Sequence, residues 1–309
     1  MSSHSDGRPS GLERRRHGRV HRPTTARRGM SSRRRHVFAR RRRRAKWLAG
    51  TLACVLVIGA AAATITVLVR RATTRPSCQV VVGSEHGVLD LEQAANATTV
   101  AAVARKMALP DHAVTVALAA AFQESQLHNL RHGDRDSLGI FQQRPSQGWG
   151  TPAQLLTPAF AARAFFFALA RVTNWRIIPV AAAAQAVQHS NAPEAYATWE
   201  SEARALAIAM TGERPAALAC RFDVPSSREA PPALGPAMTQ ELGISSLGAP
   251  MTSLHGWTVA AWLVGHAQQL RITSVSFEGR KWTPARAQWQ PAPASAATSR
   301  VQATQAAPS

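Results

Sequence analysis

The chain has 309 residues, with 37 Lys and Arg against 17 Asp and Glu, so its formal net charge is +20. Its three cysteines are too few for a disulfide-stapled miniprotein or a four-cysteine zinc module. Residues 1–46 contain 17 Lys and Arg against two acidic residues, whereas residues 47–309 contain 20 against 15. A basic tail therefore precedes a nearly neutral body, so the high net charge does not indicate a nucleic-acid partner.

The tail and the segment after it predict a membrane protein. Residues 1–46 are rich in Arg, Ser, Gly and Pro, a composition that predicts disorder. Residues 47–69 carry no charge and are long enough, as a helix, to cross a hydrocarbon core of about 30 Å. The positive-inside rule places the tail in the cytoplasm and residues 70–309 outside the cell membrane. We expect a single-pass protein held by the bilayer through 47–69 and by anionic lipid head groups through the tail. The alternative is a signal peptide cleaved at the alanine run 60–63.

Composition divides the rest of the chain into domains and linkers. These are a linker (70–77), a helical domain (78–220), a Pro/Ser-rich linker (221–234), a small α+β domain (235–289) and a disordered tail (290–309). Cys78 and Cys220 lie at the two ends of the helical domain, on the oxidising side of the membrane. We therefore expect a disulfide between them, with two unpaired thiols as the alternative.

Apolar periodicity and capping residues predict the secondary structure. Asp90 with Gln93 forms a capping-box pattern that opens one helix, and Asp111 caps the next, which ends near Leu127. A polar loop is expected at 128–138. The remaining expected elements are helices near 157–172, 180–189, 193–210 and 257–270, and strands at 272–277 and 282–289. The predicted fold class is therefore mainly α, with one membrane helix and a small C-terminal α+β unit.

One carboxyl group has surroundings suited to acid catalysis. Glu124 stands at the C-terminal end of an apolar helix, which is the negative pole of the helix dipole. Phe122, Ile140 and Phe141 would supply apolar walls. Both effects disfavour the charged form and raise the pKa of the carboxyl, as a general acid near neutral pH requires. An ordinary carboxylate at the surface end of a helix is the alternative.

Two motifs at this point resemble a known family. Glu124-Ser125, followed by the stretch Gly139-Ile140-Phe141-Gln142 and then Pro145, is similar to the Glu-Ser and Gly-Leu-Met-Gln-x-x-Pro motifs of the lytic transglycosylase and goose-type lysozyme superfamily. The resemblance covers about residues 90–210 and implies a lysozyme-like domain that cleaves the MurNAc–GlcNAc bond of peptidoglycan strands without a cofactor.

A longer stretch is similar to a narrower group. Residues 136–150 resemble actinobacterial single-pass membrane proteins with a lysozyme-like domain, some of them labelled heavy-metal transporters. A single predicted membrane helix does not support transport, which needs several helices around a central site.

The resemblance also implies residue roles. Glu124 would protonate the glycosidic oxygen. Substrate contacts would come from Gln142, Gln143 and Tyr196, while Ser125 would hold the carboxylate or its loop. The family's later Ala-Tyr-Asn motif is missing here. Its region contains the two glutamines 185 and 188, either of which is a candidate substitute.

The sequence leaves the reaction open between two mechanisms. In a lytic transglycosylase the 6-hydroxyl of muramic acid attacks, so one carboxyl is sufficient. An inverting hydrolase needs a second carboxylate about 6.5–9.5 Å from the acid. Asp134 and Asp136 are the candidates, with turn capping as their alternative role. A non-catalytic peptidoglycan-binding or cell-wall scaffold protein is the alternative function.

Two other groups of residues are weaker candidates for a metal site and for sugar stacking. His128 and His132 have the spacing of a helical metal site, but the residues around them indicate a loop, so we predict no metal site. Trp149, Trp175 and Trp199 are candidates for stacking on sugar rings, or for ordinary core positions.

Overall fold

The chain folds as a mixed α/β protein, so the mainly α class predicted from the sequence is wrong. This computed structural model describes residues 47, 54–65, 75–190, 193–224, 226–293 and 298–308. Its helices are α1 (Leu91–Lys106), α2 (Asp111–Ser125), α3 (Pro152–Leu155), α4 (Pro158–Leu169), α5 (Val180–Gln188), α6 (Glu200–Met210), α7 (Leu234–Glu241) and α8 (Ser253–Gly265). Two 3-10 helices span Pro145–Gln147 and Pro193–Trp199.

The strands form two antiparallel sheets. They are β1 (Ser77–Val82), β2 (Glu85–Leu89), β3 (Leu218–Arg221), β4 (Ile272–Phe277), β5 (Arg280–Thr283), β6 (Gln288–Pro291) and β7 (Gln302–Gln305). The first sheet has the order β2-β1-β3 and the second the order β6-β5-β4-β7. The first sheet was not expected at all. The second includes β7, which pairs with β4 although its composition predicts disorder after residue 290.

The predicted membrane helix at 47–69 is not supported. Residues 54–65 are helical with exposed side chains. No helix among the described residues is both long enough and apolar enough to cross a membrane. The basic tail 1–46, together with residues 48–53 and 66–74, lies outside the described residues.

Helix α2 lies at the centre of the core. Every residue from Ala113 to Phe122 is buried, and half of them are alanines. A helix that is apolar on all sides is a core helix, and small side chains let its neighbours approach closely. Helices α1, α4, α5 and α6 pack around it. The expected capping box of Asp90 and Gln93 opens α1 and is confirmed.

The C-terminal elements share one core with the helices. The Glu241 carboxylate at the end of α7 accepts hydrogen bonds from the Thr99 hydroxyl of α1 and the Trp262 indole of α8, each 2.7 Å long. Two further indoles, those of Trp282 and Trp289, donate to carbonyls of β3 at 3.2 and 2.7 Å. Residues described after Val69 therefore belong to one compact unit.

The expected disulfide is confirmed. Cys78 of β1 and Cys220 of β3 are bonded and stand opposite each other in the sheet. Both are fully buried. The bond therefore fixes the start of the helical part to the strand that follows it.

Removing this disulfide should cost much stability. The two cysteines are separated by 142 residues, and closing a loop of that size contributes about 4–5 kcal/mol in the chain-entropy model. We expect the Cys78→Ala, Cys220→Ala double variant to lose an amount of this order in urea unfolding. Cys54→Ala, at the exposed free cysteine, is the control and should unfold like the wild type. An unchanged unfolding midpoint in the double variant would contradict this expectation.

Candidate functional site

Glu124 lies on the last turn of α2, where the buried helix reaches the surface. Its carboxylate accepts a hydrogen bond of 2.7 Å from the hydroxyl of Tyr196, which is fully buried. Burial raises the pKa of Glu124 above its ordinary value, and the hydrogen bonds from Tyr196 and Gln188 only partly oppose it. The pKa of Tyr196 is also raised, by its burial and by the nearby Glu124 charge. The carboxyl group of Glu124 therefore keeps its proton to a higher pH than the carboxyl group of a free glutamate does.

Gln188 is the second partner of this carboxyl group. It ends α5, hydrogen-bonds the Glu124 carboxylate and donates from its Nε2 to the Phe141 carbonyl at 2.9 Å. The other candidate, Gln185, instead donates to the Ser190 carbonyl at 2.8 Å. The structure therefore brings Gln188, and not Gln185, to Glu124, a choice the sequence left open.

The loop that carries the second motif is a tight hairpin fastened to α2. Leu138 and Gln143 exchange two backbone hydrogen bonds of 3.0 Å. The Ser125 hydroxyl lies 2.8 Å from the Ile140 carbonyl, to which it donates. The ring of Phe141 stacks on Phe165 of α4 at 4.6 Å. Ser125 thus holds the loop next to the carboxylate.

Gly139 is required by this hairpin. Its φ is +77°, and a Cβ there would lie 2.3 Å from the Leu155 carbonyl oxygen. Its backbone N–H also donates to the Leu130 carbonyl at 2.8 Å. Any side chain at this position would push the hairpin away from α3.

The two glutamines of the motif have different placements. Gln142 is partly exposed, lies over Gly133 and donates to the Gly139 carbonyl at 3.1 Å. Gln143 is 2% exposed and donates to the Ala161 carbonyl of α4 at 3.2 Å. Gln143 therefore fastens the hairpin to α4, while Gln142 remains accessible at the surface of the loop.

The candidate second carboxylates have unequal surroundings. Asp136 accepts from the Arg144 guanidinium at 2.8 Å and from the backbone N–H and hydroxyl of Ser146 at 2.7 and 3.0 Å. These hydrogen bonds, led by that of Arg144, hold the pKa of Asp136 well below its usual range. The Asp134 side chain is 88% exposed and lies 3.9 Å from Arg135. Neither resembles the half-buried Glu124.

A cleft of about 530 Å³ begins at Gln188. Its lining includes Gln147, Trp149, Arg171, Val172, Gln188 and His189. Trp199 stacks on Phe122 at 5.3 Å and donates from its indole to Gln123, the residue before Glu124, at 3.0 Å. Trp175 is 4% exposed and belongs to the core. Trp149 and Trp199 are both partly exposed, Trp149 in the cleft that includes Gln188 and Trp199 against the two residues that precede Glu124.

The histidine pair is not assembled. Nε2 of His128 lies 2.9 Å from the Asp90 carboxylate. Burial lowers the pKa of His128, but the contact with Asp90 outweighs it and the net shift is upward. His132 is exposed. Among the described residues, no group of His, Cys, Asp and Glu is arranged to hold a metal ion.

Comparisons with known proteins give no further assignment: no protein-family model matches the chain, and no curated protein sequence is significantly similar to it.

Substituting Gly139 should disrupt the hairpin more than substituting another left-handed glycine. Gly148 has a φ of +80° and no atom within 4 Å of a Cβ built on it. Gly148→Ala should therefore lose only the ~1–2 kcal/mol that a left-handed backbone costs a residue with a Cβ. Gly139→Ala adds the clash with Leu155, and we expect it to lose at least about 2 kcal/mol more. Urea unfolding of both variants measures the difference, and equal losses would contradict the role given to Gly139.

The raised pKa of Glu124 makes a prediction for stability. The pKa of Glu124 is higher in the folded than in the unfolded state. The free energy of unfolding therefore falls as the pH rises from the unfolded-state pKa to the folded-state pKa. At pH 7 we expect Glu124→Gln to melt at or above the wild-type melting temperature. This gain in melting temperature should vanish below pH 4.5, the ordinary pKa of a glutamate. Glu85→Gln, at an exposed position, is the control and should change little. A lower melting temperature for Glu124→Gln at pH 7 would contradict the prediction.

Proposed function

We propose that the protein is a peptidoglycan glycosidase that uses Glu124 as its general acid. The observation that carries the proposal is the half-buried Glu124 carboxyl with its raised pKa, held by Tyr196 and by Gln188, which also lines an open cleft. The motif resemblance of the Glu-Ser pair and the hairpin supports the same substrate. Such a substrate lies outside the cytoplasm, and the Cys78–Cys220 disulfide fits an oxidising compartment.

In the proposed reaction the Glu124 proton passes to the glycosidic oxygen between MurNAc and GlcNAc. The bond between this oxygen and C1 of MurNAc then breaks, which leaves an oxocarbenium-like centre. The 6-hydroxyl of the same sugar attacks C1 and closes a 1,6-anhydro ring, and its proton returns to the Glu124 carboxylate. Tyr196 and Gln188 hold the carboxylate in place while it is charged.

We propose the transglycosylase rather than the inverting hydrolase because of the second carboxylates. Asp136 is held by Arg144 and Ser146, and a carboxylate whose pKa is held this low is a poor base for activating water. Asp134 lies on the exposed part of the loop. An intramolecular hydroxyl removes the need for either residue.

Loss of the acid should abolish cleavage. We expect Glu124→Gln to release anhydro-muropeptides from purified peptidoglycan at least about 100-fold more slowly, the lower end for general acid catalysis. Glu202→Gln is the matched control, because Glu202 is an exposed carboxyl of helix α6 whose pKa is also raised by desolvation. Products with reducing ends would favour hydrolysis. If the wild type binds peptidoglycan without cleaving it, the proposal of an enzyme is overturned and the alternative of a cell-wall scaffold protein is favoured.

Tyr196 should control the pH range of the reaction. Its hydrogen bond favours the charged carboxylate and so opposes the rise in the pKa of Glu124. In Tyr196→Phe we expect the descending alkaline limb of the kcat profile to move to higher pH, with a loss of stability of about 1–2 kcal/mol. Tyr196→Phe with an unmoved limb would show that the titrating acid is another group.

A further inference from the structure

A second groove lies beside the two sheets. It has a volume of about 500 Å³ and includes residues of β1, β3, β5 and β6. Its floor consists of small alanine and proline side chains. Its larger lining residues are Gln79, Val81, Arg214, Arg280, Gln288 and Trp289. None of the residues that the proposed cleavage uses lines it.

The groove is positively charged and its charges are unpaired. Arg214 and Arg280 are exposed, and among the described residues no hydrogen bond or ion pair is made by either guanidinium. The lining contains no Asp or Glu. Guanidinium groups bind carboxylates through paired hydrogen bonds, so two of them in one groove favour a ligand with more than one carboxylate.

The uncharged lining restricts the ligand further. Gln79 and Gln288 are exposed and their amides make no hydrogen bond within the described part of the chain, so both can pair with peptide groups. Val81 is 41% exposed and Trp289 is partly exposed, which offers apolar contact. A simple anion would use the arginines but neither the amides nor the apolar surface.

At β3 the ligand would not bind by adding a strand. Two carbonyls of the edge strand β3 already accept hydrogen bonds from the indoles of Trp282 and Trp289. Recognition along β3 therefore depends on side chains.

We propose that this groove binds a short acidic peptide. The carboxylates pair with Arg214 and Arg280, the peptide groups pair with Gln79 and Gln288, and apolar atoms of the peptide contact Trp289. The proposal goes beyond the cleavage by Glu124 and does not depend on it, since the groove would bind the same peptide in a protein without activity.

The test is calorimetric titration of full-length Glu124→Gln protein with two synthetic probes. One is the N-acetylated peptide Glu-Ala-Ala-Glu with a free C-terminus, and the other is its neutral counterpart, Gln-Ala-Ala-Gln with a C-terminal amide. We expect saturable binding of the acidic peptide, at least about tenfold weaker binding of the neutral one, and weaker binding at high salt. The Arg214→Gln, Arg280→Gln double variant should lose at least about tenfold in affinity.

A matched control separates the groove from general charge. Arg286 is exposed in the turn before β6 but does not line the groove, so Arg286→Gln removes a positive charge nearby and should change the affinity less than about twofold. Thermal melting checks that each variant is folded. Four results would each overturn the proposal. They are no saturable binding of the acidic peptide, equal binding of the neutral peptide, an equal loss of affinity in all variants, and full displacement of the peptide by equimolar inorganic phosphate. Failure of Glu124 to cleave peptidoglycan would not affect the proposal.

Discussion

The burial of α2 is the constraint on which the site depends. A helix that is buried from Ala113 to Phe122 can bring a charge to solvent only at its ends. Glu124 stands at that exit, and the chain then reverses through Gln126, whose φ is +54°. Half-burial raises the pKa of the carboxyl, while the Tyr196 hydroxyl and the Gln188 amide supply the hydrogen bonds that a partly desolvated carboxylate needs. The core therefore sets both the position and the acidity of the group.

The same stretch of sequence contains carboxyl groups with opposite properties. Burial raises the pKa of Glu124, whereas the pKa of Asp136 is lowered by its contacts with Arg144 and Ser146. A separation of this kind is what the proposed role of Glu124 as a proton donor requires, while Asp136 holds the loop in shape. Asp136 stabilises the turn that leads from the hairpin to Pro145–Gln147, and so it contributes to the site indirectly.

The C-terminal strands complete the scaffold through polar contacts that sequence patterns do not reveal. The ring of Trp282 belongs to the core, the partly exposed ring of Trp289 packs against that core, and both indole N–H groups donate to β3. Cys78 and Cys220 join β3 to β1. These contacts bind the second sheet to the first.

The sequence by itself predicted the capping box of α1 and the Cys78–Cys220 pair, because these depend on local spacing or on few alternatives, and it singled out Glu124 as a candidate; the expected Asp111 cap was wrong, since Pro110 takes the N-cap position without a side-chain hydrogen bond. It failed where distant segments meet. The β1–β3 pairing joins strands more than a hundred residues apart, and β7 is polar, so periodicity could not reveal either, whereas the β1–β2 hairpin is local and was simply missed. Only the tertiary structure shows that Gln188, and not Gln185, contacts Glu124, and that Tyr196 donates to the same carboxylate. Both contacts depend on how α5 and the 3-10 helix Pro193–Trp199 pack on α2.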